Sequence, residues 1–157
     1  MFSATRVTSL LKENGVTFSS GVPCSILRPL LNQLYLEKDI QYISASNEAH
    51  ALAVVSGAAI TKRHGLVLMQ NSGFCNATEP LTSLSSIFGI PALLFISWRG
   101  KPDTGDEQHH NIIGGILPKL LELLEIPYLI MSRTENEALS AIGTAMTRCR
   151  GRVVVLQ

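Results

Sequence analysis

One carboxylic acid in this sequence stands at the entrance to an apolar run, where it can take up and return a proton. Glu48 follows Ser46 and Asn47 and opens residues 49–60, in which His50 is the only basic side chain. Ser46 or Asn47 suits an N-cap, so Glu48 falls in the first turn of a helix rich in small residues. The dipole of such a helix favours a carboxylate by about 0.3 to 1 kcal/mol, which is the ordinary reason for an acid at that position. A helix apolar on nearly all sides is buried, however, and its N-terminus then opens onto a pocket or an interface. A carboxyl group partly withdrawn from water there is suited to sharing a proton.

Three other stretches carry functional groups. Gln70-Asn71-Ser72-Gly73 offers amides, a hydroxyl and a glycine that lets backbone approach a ligand, although the same residues make ordinary turns. Residues 98–110, WRGKPDTGDEQHH, hold Arg99, Lys101, Asp103, Asp106, Glu107, His109 and His110. Polarity alone fits a solvated loop, and adjacent histidines without an H-E-x-x-H helix make a weak metal site. Acid/base work suits the histidines better, since imidazole titrates near neutral pH. Cys75 has no base beside it in sequence, so a small buried thiol describes it better than a nucleophile does.

The elements that must position these groups alternate. Ser3 caps a first helix carrying Val7, Leu10 and Leu11 on one face, and Gly15 ends it. Strands are expected at residues 16–19, 42–44, 66–69, 92–97, 128–130 and 153–156. Helices are expected from Ile26 to Leu34 and over residues 47–63, 77–87, 112–124 and 135–148. Short continuous apolar strands separated by helices predict an α/β domain, a parallel sheet of about six strands covered on both faces with right-handed crossovers. Ligands bind such sheets at the carboxyl ends of the strands. The loops expected there are residues 21–25, 46–48, 70–76 and 98–110.

Composition narrows the setting. The 157 residues fit one domain, 46% of them apolar and 16% charged, with a net charge of +1 and no run of Lys or Arg. These values argue for a folded chain without a nucleic-acid or anionic-membrane partner. No apolar run approaches the roughly 18 residues that span a bilayer. Cys24, Cys75 and Cys149 are odd in number and lack C-x-x-C spacing, which fits a reduced, cytoplasmic setting. Neither G-x-G-x-x-G nor G-x-x-x-x-G-K-[ST] occurs, so a Rossmann-type cofactor binder is disfavoured.

GVP at residues 21–23, SNEAHAL at 46–52, MQNSGFCNATEPLTSL at 69–84 and SWRGKPDTGDEQHH at 97–110 together resemble the pyrimidine-binding domain of thiamine-diphosphate decarboxylases. The resemblance is strongest to phosphonopyruvate decarboxylases, with the alpha subunits of sulfopyruvate decarboxylases next. It implies that Glu48 hydrogen-bonds N1′ of the cofactor's aminopyrimidine and promotes the imino tautomer that activates the thiazolium for attack on a 2-keto acid. Carbon dioxide then leaves and an aldehyde is released.

The resemblance also places Asn71, Ser72 and Gly73 beside the pyrimidine. His109 and His110 match a histidine pair that handles protons late in the cycle. Cys24 stands where relatives often carry an aspartate. The family's G-D-G and Asn-Asn signature for the diphosphate and Mg²⁺ is not found, and Gly105-Asp106-Glu107 does not replace it.

The expectation is therefore a single domain over 1–157 acting as the alpha subunit of a heteromeric decarboxylase, with no metal ligands of its own. A beta subunit would supply the diphosphate site and most of the Mg²⁺ coordination. Arg99 and Lys101, with Arg28 behind them, are the candidate cations for a substrate anion, because guanidinium suits phosphonate or sulfonate. Phosphonopyruvate is the first substrate expected and sulfopyruvate the second. A non-catalytic binding or regulatory subunit of the same fold stands as the alternative in kind.

Overall fold

The computed structural model describes residues 3–131, 134–148 and 152–156; Cys149 lies outside them. The chain alternates α1 (Ala4–Glu13), β1 (Val16–Gly21), α2 (Arg28–Leu36), β2 (Gln41–Ser44), α3 (Glu48–Ile60), β3 (His64–Gln70), α4 (Asn71–Pro80), β4 (Ala92–Ser97), α5 (Asn111–Leu123), β5 (Tyr128–Ile130), α6 (Glu135–Arg148) and β6 (Arg152–Leu156). The strands form one parallel sheet in the order β2-β1-β3-β4-β6-β5.

Alternation along the central strands divides the core between the two faces. Leu66, Leu68 and Phe95 pack with Val7 and Leu11 of α1, Leu30, Leu31 and Leu34 of α2, and Ala138, Ile142 and Ala145 of α6. Val67, Met69, Leu94 and Ile96 point the other way, against Ala51, Leu52 and Val55 of α3, Phe74 and Ala77 of α4, and Leu117 and Leu121 of α5. Each large side chain buried this way contributes about 1.5 to 3 kcal/mol, so β3 and β4 are the anchored centre of the sheet. The covered parallel sheet read from the apolar runs is the architecture found.

Many boundaries shift by one to three residues from those read in the sequence, among them α2, which runs Arg28–Leu36 rather than from Ile26 to Leu34; the two that bear on the site are those of α3 and α4. Helix α3 stops at Ile60 rather than reaching Arg63, because Thr61 caps it and Lys62 takes a left-handed conformation with φ of 65°. Residues 71–76 are not a loop. Gln70 is extended, and helix α4 begins at Asn71, then widens into a π-type turn over Leu81–Ser86. Pro80 stands at that change, where its ring removes a helical N–H and crowds the preceding turn. The helix expected from Ala77 thus starts at Asn71 instead, and it brings the Asn-Ser-Gly segment into its first turn.

Candidate functional site

The direction of chain travel reverses between β1 and β3. The connection from β1 leads to β2 on one side, and that from β3 leads to β4 on the other. Such a switch leaves a crevice at the carboxyl ends of the strands. Gly21 ends β1 beside Ser44 and Leu68, so close that a Cβ at this position would overlap the Leu68 carbonyl. Gln70 and Ser97 are paired at the ends of β3 and β4. Across the crevice, the Cys24 thiol lies 3.1 Å from Ser97 Oγ and donates to Gln70 Oε1 at 3.6 Å.

Glu48 opens α3, as its position after Asn47 predicts. Asn47 is the cap: its Oδ1 accepts from the His50 amide at 2.9 Å. The His50 ring is 3.0 Å from Ser46 Oγ, so the one basic neighbour in sequence is engaged with the preceding loop. The Glu48 side chain is withdrawn from solvent, with 8% of the residue exposed. It lies against the first turn of α4, where a Cβ on Gly73 would overlap its carboxyl group. Asn76 donates from Nδ2 to Glu48 Oε2 at 2.9 Å. Gly73 and Asn76 are three apart and therefore share one face of α4. One clears space for the carboxyl and the other holds one of its oxygens.

The residues around this acid have distinct employments. Asn71 is fully buried and uses both ends of its amide on the backbone of Arg99: Nδ2 donates to the Arg99 carbonyl at 2.7 Å, and Oδ1 accepts from the Arg99 amide at 3.1 Å. Ser72 is exposed, and its hydroxyl accepts from Gln70 Nε2 at 2.6 Å. Cys75 is exposed rather than buried, contrary to the reading as a small core thiol; it falls on the outer side of α4.

The segment after β4 is held by Asp106. Arg99 donates from Nε and Nη2 to its two carboxylate oxygens, each at 2.7 Å. Arg99 beside it, and then the backbone amides of Gly100 and Glu107, hold the Asp106 carboxyl well below the usual carboxylate range. One edge of the Arg99 guanidinium is therefore already matched by a negative charge. Lys101 places its ammonium 5.1 Å from the centre of the Trp98 ring. Arg28 begins α2 and lines a cavity of about 260 Å³ with Cys24, Asn32 and Tyr35.

A short 3₁₀ turn, Gln108–His110, carries the histidines into α5. Their rings are 4.0 Å apart between centroids; His109 is exposed and His110 buried. Burial, and then the positive charges of Arg99 and His109, push the His110 pKa down and favour its neutral ring. The N-terminus of α5 acts in the same sense. Among the described residues no cluster of three His, Cys, Asp or Glu side chains is placed to hold a metal ion. Nor does any described helix have the length and apolarity to cross a membrane.

The structure thus brings Glu48, Gly73 and Asn76 together where α3 meets α4 and joins Asn71 to the loop that bears Arg99 and the histidines. Among the described residues no hydrogen bond or ion pair joins Arg28 to the segment that bears Arg99. Asn76 is the residue that sequence reasoning leaves out of the site, although its spacing from Gly73 is a usable signal.

Comparison with known proteins places these features in context. The family model described as thiamine pyrophosphate enzyme, N-terminal TPP binding domain, matches residues 2–116. A phosphonopyruvate decarboxylase from Streptomyces viridochromogenes is 37% identical over 96% of this chain, which spans 37% of that protein. The sulfopyruvate decarboxylase subunit alpha of Methanococcus maripaludis is also 37% identical, over 92% of this chain and 86% of its own length. Among solved structures, a benzoylformate decarboxylase from Polynucleobacter necessarius superposes with a TM-score of 0.74 at 17% identity, covering 99% of this chain and 29% of that one. The chain therefore spans little more than a third of the length of the first curated relatives it matches.

Proposed function

The chain belongs to the family of thiamine pyrophosphate enzyme N-terminal domains, and on that premise we propose that it forms the pyrimidine side of a thiamine-diphosphate-dependent decarboxylase converting 3-phosphonopyruvate to phosphonoacetaldehyde and carbon dioxide. The observation that carries the reading is the Glu48 carboxyl, withdrawn at a helix N-terminus with Gly73 against it and Asn76 holding Oε2. A carboxyl so held suits an aminopyrimidine: Oε2 is engaged by Asn76, which leaves Oε1 to share a hydrogen bond with a ring nitrogen. Bound thiamine diphosphate would supply the thiazolium that takes up the electron pair released with carbon dioxide.

This chain's residues do the rest of the work on its side. Glu48 holds and returns the proton at N1′. Ser72 and Gly73 line the pyrimidine edge at the start of α4, and Asn71, its amide engaged by the Arg99 backbone, fixes that edge from behind. His109 and His110 move a proton to the product, His110 from the more enclosed position and His109 from the solvent side. Lys101, Arg28 and the Arg99 edge not taken by Asp106 attract the terminal anion of the substrate.

The diphosphate and Mg²⁺ are held mainly by a beta subunit, with 1–157 as a single pyrimidine-binding domain in a cytoplasmic hetero-oligomer. Two things support a partner chain. The alpha-subunit relative matches over most of its own length. Ile60, Ile87 and Phe88 are 68%, 74% and 71% exposed, apolar surface of the kind a partner chain can cover.

Sulfopyruvate is the second reading, favoured by an alpha subunit matching at the same 37% identity. Aldehyde release from each substrate, by the complex with thiamine diphosphate and Mg²⁺, separates the two. Preference for phosphonopyruvate is the expected outcome. Preference for sulfopyruvate moves the chain to the second reading, and release from neither, with cofactor bound, removes both.

A further inference from the structure

The segment between β4 and α5 contains no strand or long helix, yet it carries both histidines. Its ends are joined by Asp106. One carboxylate receives Arg99 Nε and the Gly100 amide on Oδ2, and Arg99 Nη2 and the Glu107 amide on Oδ1, at 2.7 to 2.8 Å. Residues 100–105 are thereby closed into a ring in which Gly100, Asp103 and Gly105 take positive φ. The His110 amide donates to the Glu107 carbonyl at 2.9 Å, so the histidine turn continues directly from the clamp.

The turn is also seated on the residues that the clamp fixes. A Cβ on Gly100 would overlap the His110 carbonyl, and one on Gly114 would overlap the backbone of Arg99 and Gly100. Trp98 Nε1 donates to the Gly114 carbonyl at 2.8 Å. Arg99 is in turn held by both ends of the Asn71 amide, and Asn71 begins the helix whose Gly73 and Asn76 meet Glu48. A continuous path of short contacts runs from Glu48 through α4, Arg99 and Asp106 to the histidines. Within it, Asp106 bonds to Arg99, Gly100 and Glu107, and none of these hydrogen bonds goes to Glu48, Gly73 or Asn76.

We propose that Asp106 is a positioning residue for the histidine-dependent half of the reaction: with Arg99 as its counter-ion it sets where His109 and His110 stand relative to Glu48. The inference rests on the decarboxylase reading above. It gives Arg99 a scaffolding duty through its Nε/Nη2 edge and leaves that edge out of substrate binding.

The test is Asp106→Asn in the assembled complex with thiamine diphosphate, with two rates measured. Hydrogen exchange at C2 of the bound cofactor reads the Glu48 side; aldehyde release reads the histidine side. The expected result is exchange within about twofold of wild type and release slowed roughly a hundredfold, the scale of a misplaced reacting group. In the cofactor-free chain, the His110 imidazole resonances should shift toward those of the exposed His109.

Asp106→Glu keeps the charge but lengthens the arm that reaches Arg99 and the Gly100 and Glu107 amides, and it should reproduce the split at a smaller size should Asp106→Asn fail to fold. Equal loss of both rates, or of neither, overturns the inference while the cofactor reading stands. Absence of C2 exchange in the wild-type complex overturns the cofactor reading and this inference with it.

Discussion

At the scale of single residues, the proposed chemistry turns on how little room surrounds the Glu48 carboxyl. Gly73→Ala would put a methyl group where that carboxyl lies, so either α4 or the acid must move. Overpacking of this kind costs about 1 to 3 kcal/mol, and the melting temperature should fall together with turnover. Asn76→Ala removes a donor without adding bulk. It should lower turnover by roughly tenfold, the worth of one charge-assisted hydrogen bond, while the melting temperature moves less than in Gly73→Ala. Equal melting temperatures and turnover for wild type and Gly73→Ala would show that the carboxyl is not confined as described. Glu48 itself is legible in the sequence, because an N-cap ahead of an apolar run marks the first turn. For Asn76 the sequence gives only the spacing that puts it on one face with Gly73; what that face meets depends on two helices coming together, which periodicity within one helix does not show.

At the scale of elements, the histidine loop has a pH signature. The folded pKa of Asp106 is depressed, so its contribution to stability is present above the ordinary carboxylate value of about 4 and fades as pH falls below it. His110 acts in a higher window. Its folded pKa is lowered, so below about 6.5 the unfolded chain binds more protons than the folded one, and stability falls as pH drops from 7 toward the folded value. Denaturant midpoints measured between pH 7 and 5 should decline, and His110→Gln should flatten that decline. An unchanged slope in the variant would mean that His110 is not enclosed. The sequence shows a long polar loop here, but its several acids and bases allow many pairings, and only folding selects Arg99 with Asp106. The start of α4 is hard to read for a related reason: Asn, Ser and Gly favour turns, and the contact that makes Gly73 acceptable in a helix lies on α3.

At the scale of the whole molecule, alternating apolar runs are enough to read a parallel sheet with both faces covered. The placement of β6 between β4 and β5 is not readable, since it depends on which strand a crossover skips. Exposure of Ile60, Ile87 and Phe88 leads to a prediction about assembly. Ile60→Asp combined with Phe88→Asp should weaken association with the partner chain by tenfold or more in sedimentation velocity, as a charge on an apolar contact face would, and leave the far-ultraviolet circular dichroism of the isolated chain unchanged. Association at wild-type strength would place the interface elsewhere. Glu48 is proposed to activate a cofactor shared with the proposed partner chain. Hydrogen exchange at C2 of thiamine diphosphate, in the complex carrying Glu48→Gln against wild type, tests it most directly. The expected result is a fall of roughly a hundredfold or more with assembly intact, the scale of a lost proton-transfer group; exchange at the wild-type rate would contradict the claim.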